Sequence, residues 1–145
     1  MNNDTMSPDT IERDLFLAQP VERVWAALTD PSELTRWFPD VAELDVRPGG
    51  DGVFTFDVDG GTVDVQVHVE AVEPMHRFAF RWGSGPELGP GHATLVEFTL
   101  KPAEGGTQVR LVESGFAALP DAEDRRNGNI DGWGTKLGQL AAHLA

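Results

Sequence analysis

QPVERVWAALTDPSELTRWFP, residues 19–39, spells two short helices joined at a proline, with bulky aromatics closing the second. Pro20 and Pro31 each suit the first turn of a helix, where a missing N–H costs nothing. Val21, Val24, Trp25 and Leu28 follow the i, i+3, i+4, i+7 pattern of one apolar helical face. Asp30 is placed to cap the second helix, and Glu33 three residues later completes a capping-box-like pair. Leu34, Trp37 and Phe38 repeat the apolar spacing, and Pro39 stops the helix. A helical V set early in a chain that is otherwise mostly strand narrows the fold sharply.

Working outward, residues 10–17 precede the V as a strand, and runs at 41–47, 53–58, 62–73, 76–82, 92–101 and 107–115 follow it, seven strands in antiparallel style. PGGDG, DGG, Pro74-Met75 and PAEGG supply the turns, and GSGPELGPG (83–91) is a long Gly/Pro-rich loop. Helix returns at the end, where Ile130, Trp133, Leu137, Leu140 and Leu144 recur at intervals of 3, 4, 3 and 4. Gly134, Gly138 and Ala141 lie beside that stripe, which suits a backbone packed close to a sheet. Glycine lowers helicity by about 1 kcal/mol per residue relative to alanine, so this helix depends on tertiary packing. DAEDRRNGN (121–129) reads as an exposed approach to it and a candidate gate.

The turns set registers. With Pro74-Met75 as a two-residue loop, Ala71 faces Phe78, Val69 faces Phe80 and Val67 faces Trp82, while His68 meets Arg81 and Glu70 meets Ala79 on the other face. With Asp59-Gly60 as the preceding turn, Phe56 faces Val63 and Phe54 faces Val65, which keeps Asp57 from facing Asp64. In the last hairpin Leu100 faces Val109, Phe98 faces Leu111 and Val96 faces Glu113. One sheet face is thereby apolar throughout, with Glu113 its clear exception.

Composition bounds the function. A chain of 145 residues is one domain by size and buries roughly 70% of its unfolded surface. The polar start reads as a disordered lead-in over 1–9, ahead of a single domain over 10–145, and lacks a basic-then-apolar signal, so a cytoplasmic protein is expected. The net charge of −13 argues against nucleic acid and anionic membranes as partners. Two lysines against nine arginines, with abundant Asp, fit a GC-rich genome or a halophile. There is no cysteine, and the four histidines lack zinc-motif spacing, so no metal is expected. Ser84 and Ser114 lack a nucleophile elbow, and the glycine pairs match no phosphate or dinucleotide loop, so no cofactor is expected either.

The motif order PVERVWAALTDPSELTRWFP, VRPGGDGVFTF, VEAVEPMHRFAFRW, TLVEFTLKPAEGGTQVRLVESGF and DGWGTKLGQLAAHL resembles the activator of Hsp90 ATPase homologue 1-like family of the START/Bet v 1-like (SRPBCC) superfamily, over nearly the whole chain. The resemblance implies an α+β helix-grip fold: a seven-stranded curved antiparallel sheet wraps a long C-terminal helix and leaves a cavity between them. Periodicity alone would also allow a sandwich or barrel.

An apolar sheet face under a helix suits a small hydrophobic ligand, with Trp37, Phe54, Phe56, Phe78, Phe80, Trp82, Phe98 and Trp133 as candidate lining residues. The competing reading is that these side chains simply fill a core. Glu113 is the sharpest single candidate, since a desolvated carboxyl among Val96 and Phe98 is a possible acid, base or ligand anchor; the bland alternative puts it at a solvated rim. The resemblance also raises a chaperone as partner, although the family's namesake uses a separate N-terminal domain for which this chain has no room. It raises a cyclase or aromatase too, for which Glu113 alone is a thin constellation. Ligand binding is the favoured expectation, by a monomer or homodimer.

Overall fold

The structure is a computed structural model that describes residues 8–145. Most of the expected 1–9 lead-in lies outside the described residues. The chain runs β1 (Thr10–Leu17), α1 (Val21–Thr29), α2 (Pro31–Leu34), β2 (Val41–Leu44), β3 (Asp51–Val58), β4 (Gly61–Glu73), β5 (Arg77–Gly83), β6 (Thr94–Ala103), β7 (Gly106–Ser114), a short 3-10 turn (Phe116–Ala118) and α3 (Ala122–His143). All seven strands form one sheet in the order β1-β7-β6-β5-β4-β3-β2, every neighbouring pair antiparallel. With the long C-terminal helix against it, this is the α+β helix-grip arrangement.

The helical V forms for the expected reasons, with two corrections. Val24, Trp25, Ala27 and Leu28 bury one face of α1, and Asp30 caps α2 by accepting from the Ser32 N–H at 2.9 Å. Glu33 does not close a capping box; its carboxylate turns instead to Arg23 and His143. Helix α2 ends at Leu34 rather than Phe38, but the chain keeps turning, with Phe38 N–H donating to Leu34 C=O at 2.8 Å. Leu34, Trp37 and Phe38 are buried all the same, and the Trp37 indole N–H donates to Ala27 C=O at 2.8 Å, bracing the V.

The β3–β4 and β6–β7 registers are as the turn signals indicate, including Phe56 opposite Val63 and Val96 opposite Glu113. The β4–β5 hairpin keeps Val67–Trp82 and Val69–Phe80 but pairs Ala71 with Ala79 and Val72 with Phe78. Its turn has three residues, Pro74 to His76, and a bulge at Glu70 restores the register. Two irregularities thus cancel, and the apolar face survives past the bend. Strand β2 stops at Leu44, and residues 45–50 turn back through Gly49 (φ +85°). A Cβ at Gly50 would sit 2.1 Å from Asp45 C=O, so only glycine fits there.

Helix α3 begins at Ala122, so the 121–129 run, most of it exposed, forms the helix's first turns. Trp133, Leu137, Leu140 and Leu144 are buried as the stripe indicates. Gly134, Gly138 and Ala141 face solvent, not the sheet, and a Cβ on either glycine would meet nothing within 4 Å. The interior is filled by aromatics at ring-contact distances: Phe38 lies 5.2 Å from Trp133 and 5.4 Å from Phe54, and Phe98 lies 6.0 Å from Trp133.

Candidate functional site

Alternation along β7 points Glu113 inward between its register partners Val96 on β6 and Ile11 on β1. It is 0% exposed. Five hydrogen bonds converge on its two oxygens: Trp82 Nε1 (2.9 Å), Thr94 Oγ1 (2.5 Å), Trp133 Nε1 (2.7 Å) and Asn129 Nδ2 to both oxygens (3.0 and 3.1 Å). All four neighbours present donors, the complement of a carboxylate's acceptor oxygens. No cation pairs with it among the described residues, and its polar partners there are these four side chains. Glu113 therefore ties β5, β6, β7 and α3 together at one point.

Above this carboxylate a cleft of ≈ 360 Å³ opens between the β3–β5 strands and the first half of α3. Phe56, Val63, Val65, Trp82 and Phe116 form its apolar walls, and Thr94, Asn129, Ser84 and Arg125 its polar points. Three of its residues, Trp82, Thr94 and Asn129, are donors to Glu113, so the network is the floor of the cleft.

Of the residues singled out in the sequence, Phe56 and Trp82 line this cleft, half-buried. Glu113 and Trp133 lie one layer beneath it. Trp37, Phe54, Phe78, Phe80 and Phe98 are buried in the aromatic cluster away from it. Thr94 and Asn129 were not foreseen. Asn129 carried a signal, standing four residues before Trp133 and hence on the same helical face. Thr94 did so only through its register with Trp82, which the 83–91 loop hides.

The sheet's outer face is a lattice of ion pairs. Arg81 meets Glu70 (2.8 Å), Arg77 meets Glu73 (3.0 Å) and Glu97, and Arg110 meets Asp14 (2.9 Å) and Glu12. A groove of ≈ 500 Å³ between the α2 turn and the second half of α3 is lined by Arg36, Lys136, Gln139 and His143. It is more polar than the cleft and does not reach Glu113. Among the described residues no group of three or more His, Asp or Glu could hold a metal, and no helix is long and apolar enough to cross a membrane.

The sequence profile described as "Activator of Hsp90 ATPase homolog 1-like protein" matches residues 18–145. No curated protein matches the chain. Among solved structures, CV1439 from Chromobacterium violaceum is similar, 28% identical over 94% of this chain and 98% of its own, with a TM-score of 0.76. MLL2253 from Mesorhizobium loti is 26% identical over 93% and 96%, with a TM-score of 0.74. DynU16, a protein of the dynemicin biosynthetic locus, is 27% identical over 94% of this chain with a TM-score of 0.74, but the match spans only 47% of DynU16.

Proposed function

This chain belongs to the family of activator of Hsp90 ATPase homolog 1-like proteins, and from that premise we propose that it binds a small hydrophobic molecule in the cleft between β3–β5 and the first half of α3. One observation carries the reading: an apolar cleft of ≈ 360 Å³ ends on a floor whose polar groups are already fixed by a buried carboxylate. Concave apolar sites with a few convergent polar groups are the usual form of small-molecule pockets. The likeness to a protein of the dynemicin biosynthetic locus supports a small-molecule setting. Phe56 and Trp82 would contact the ligand, whereas Trp37, Phe54, Phe78, Phe80 and Phe98 would hold the shape of the wall. Glu113 serves this reading as a positioning residue, since both its oxygens are occupied and enclosed.

Native mass spectrometry of freshly purified protein, with thermal shifts against a panel of aromatic and lipid compounds, tests the proposal. The expected result is a co-purifying molecule, or a stabilising compound whose effect disappears in Val65→Trp, a substitution that fills the cleft. An empty protein that no compound stabilises, or one stabilised equally in Val65→Trp, overturns it.

A further inference from the structure

The hydrogen bonds around Glu113 also fix which end of a ligand the cleft accepts. Trp82 N–H, Thr94 O–H and the Asn129 amide nitrogen all donate to the carboxylate, and Thr94 Oγ1 additionally accepts from Trp82 at 3.0 Å. The Trp82 and Thr94 donors are thereby committed, and the Asn129 amide holds the carboxylate through its nitrogen. Because Asn129 Nδ2 faces Glu113, its Oδ1 faces away. That oxygen takes no hydrogen bond, and no buried side-chain N or O among the described residues lacks a partner, so Oδ1 is open to the cleft that Asn129 lines. An open amide oxygen at the inner end of the cleft favours the positive end of an O–H or N–H dipole there.

The mouth has the opposite character. Arg125 lines it with Ser84, and both residues also line a second groove of ≈ 620 Å³ beneath the 84–91 loop. Arg125 is exposed, and its nearest carboxylate is Asp121 at 3.9 Å, too far for a hydrogen bond, so its fork of N–H groups is available to an anion. In a protein of net charge −13 an anionic ligand is repelled in general, which makes a local cation decisive for one.

We propose, resting on the ligand-binding reading above, that the cleft selects hydroxyaryl carboxylates: the hydroxyl enters first and donates to Asn129 Oδ1, the ring lies against Phe56 and Trp82, and the carboxylate stays at the mouth on Arg125. This polarity follows from the Asn129 oxygen within the cleft and the Arg125 guanidinium at its mouth.

Four matched probes test it by calorimetric titration at low salt: para-hydroxycinnamate, para-methoxycinnamate, and the methyl esters of both. The ether removes the donor and the ester removes the anion. The expected order has para-hydroxycinnamate tightest, with each modification costing about tenfold, the worth of one hydrogen bond or ion pair at such a site. Arg125→Gln, an exposed substitution, erases the preference for acid over ester and leaves the preference for hydroxyl over ether; Arg125→Lys retains much of the first. Asn129→Ala erases the hydroxyl preference. Should it fail to fold, the hydroxyl–ether comparison on the wild-type protein still decides. Equal binding of all four probes overturns the selectivity while leaving the cleft reading intact. Binding of none of them, nor of the broader panel, overturns both.

Discussion

Trp133 on α3 donates its indole N–H to Glu113 on β7 at 2.7 Å, inside a largely apolar interior. The bond anchors the helix to the sheet together with Asn129, and Arg126 adds a second anchor by donating from Nε to Thr10 C=O on β1 at 2.8 Å. Glu113→Leu removes the acceptor and strands four donors, from Trp82, Thr94, Asn129 and Trp133. Each buried unsatisfied donor costs about 1–3 kcal/mol, tempered where it regains water. The expected loss is about 3–5 kcal/mol in urea unfolding, comparable to breaking a buried charged partner. Glu113→Gln is expected to be only partly better, because its amide N–H groups confront donors. A Glu113→Leu variant as stable as the wild type would show that the network is spectator geometry.

Much of this arrangement was legible in the sequence, for a specific reason. Period-2 alternation plus two-residue turns such as Asp59-Gly60 leaves one register that keeps an apolar face, and that register places Glu113 inside. The bulge at Glu70 was not legible, because a three-residue turn and one extra strand residue compensate and leave Val69–Phe80 where a simpler hairpin would put it. Depth was not legible either. Alternation tells which face Phe54, Phe78 and Phe98 occupy, but not whether a void or a ring from Phe38 or Trp37 lies against them. Asn129 was hidden by its neighbours, since a charged run reads as solvated surface although every fourth residue of a helix returns to the same side.

The glycines of α3 give a second expectation. Gly132, Gly134 and Gly138 are exposed within the helix, and a Cβ on any of them meets no neighbour within 4 Å. Replacing each by alanine is expected to stabilise the protein by about 0.5–1 kcal/mol, through lower unfolded-state entropy and higher helix propensity. For a chain of this size, about 1 kcal/mol moves Tm by roughly 2–4 °C. The triple variant should therefore melt several degrees higher by differential scanning calorimetry. A lower Tm would mean that this helix face packs against something, such as a second copy of the chain.

Met75 sits in the β4–β5 turn at φ +64°, the position after Pro74 where a type II turn favours glycine. His76 N–H donates to Glu73 C=O at 2.9 Å and closes the turn. A left-handed conformation costs a side-chain-bearing residue about 1–2 kcal/mol, partly offset by the greater unfolded-state freedom of glycine. Met75→Gly is expected to stabilise by about 0.5 kcal/mol, read as a higher urea midpoint at unchanged slope. Met75→Val, β-branched, is expected to destabilise. The reverse order would show that the half-exposed Met75 side chain makes contacts worth more than its backbone strain.

Glu33 joins the three helices: Arg23 Nη1 of α1 reaches its oxygens at 2.7 and 2.8 Å, and His143 Nε2 of α3 reaches Oε1 at 2.8 Å. Burial pushes the Glu33 carboxyl up, but the hydrogen bonds from His143 and Arg23 and their charges outweigh it and hold the group below its ordinary value of 4.5. A carboxyl lowered in the folded state contributes stability that is complete above the ordinary value and is lost as pH falls through the lower folded one. Glu33→Gln should thus cost about 1 kcal/mol near neutrality, and the gap from wild type should close as pH drops below 4.5. Urea midpoints across an acidic pH series measure the gap. A gap that stays constant through the acid range would show that the Glu33 charge contributes nothing to holding α1, α2 and α3 together.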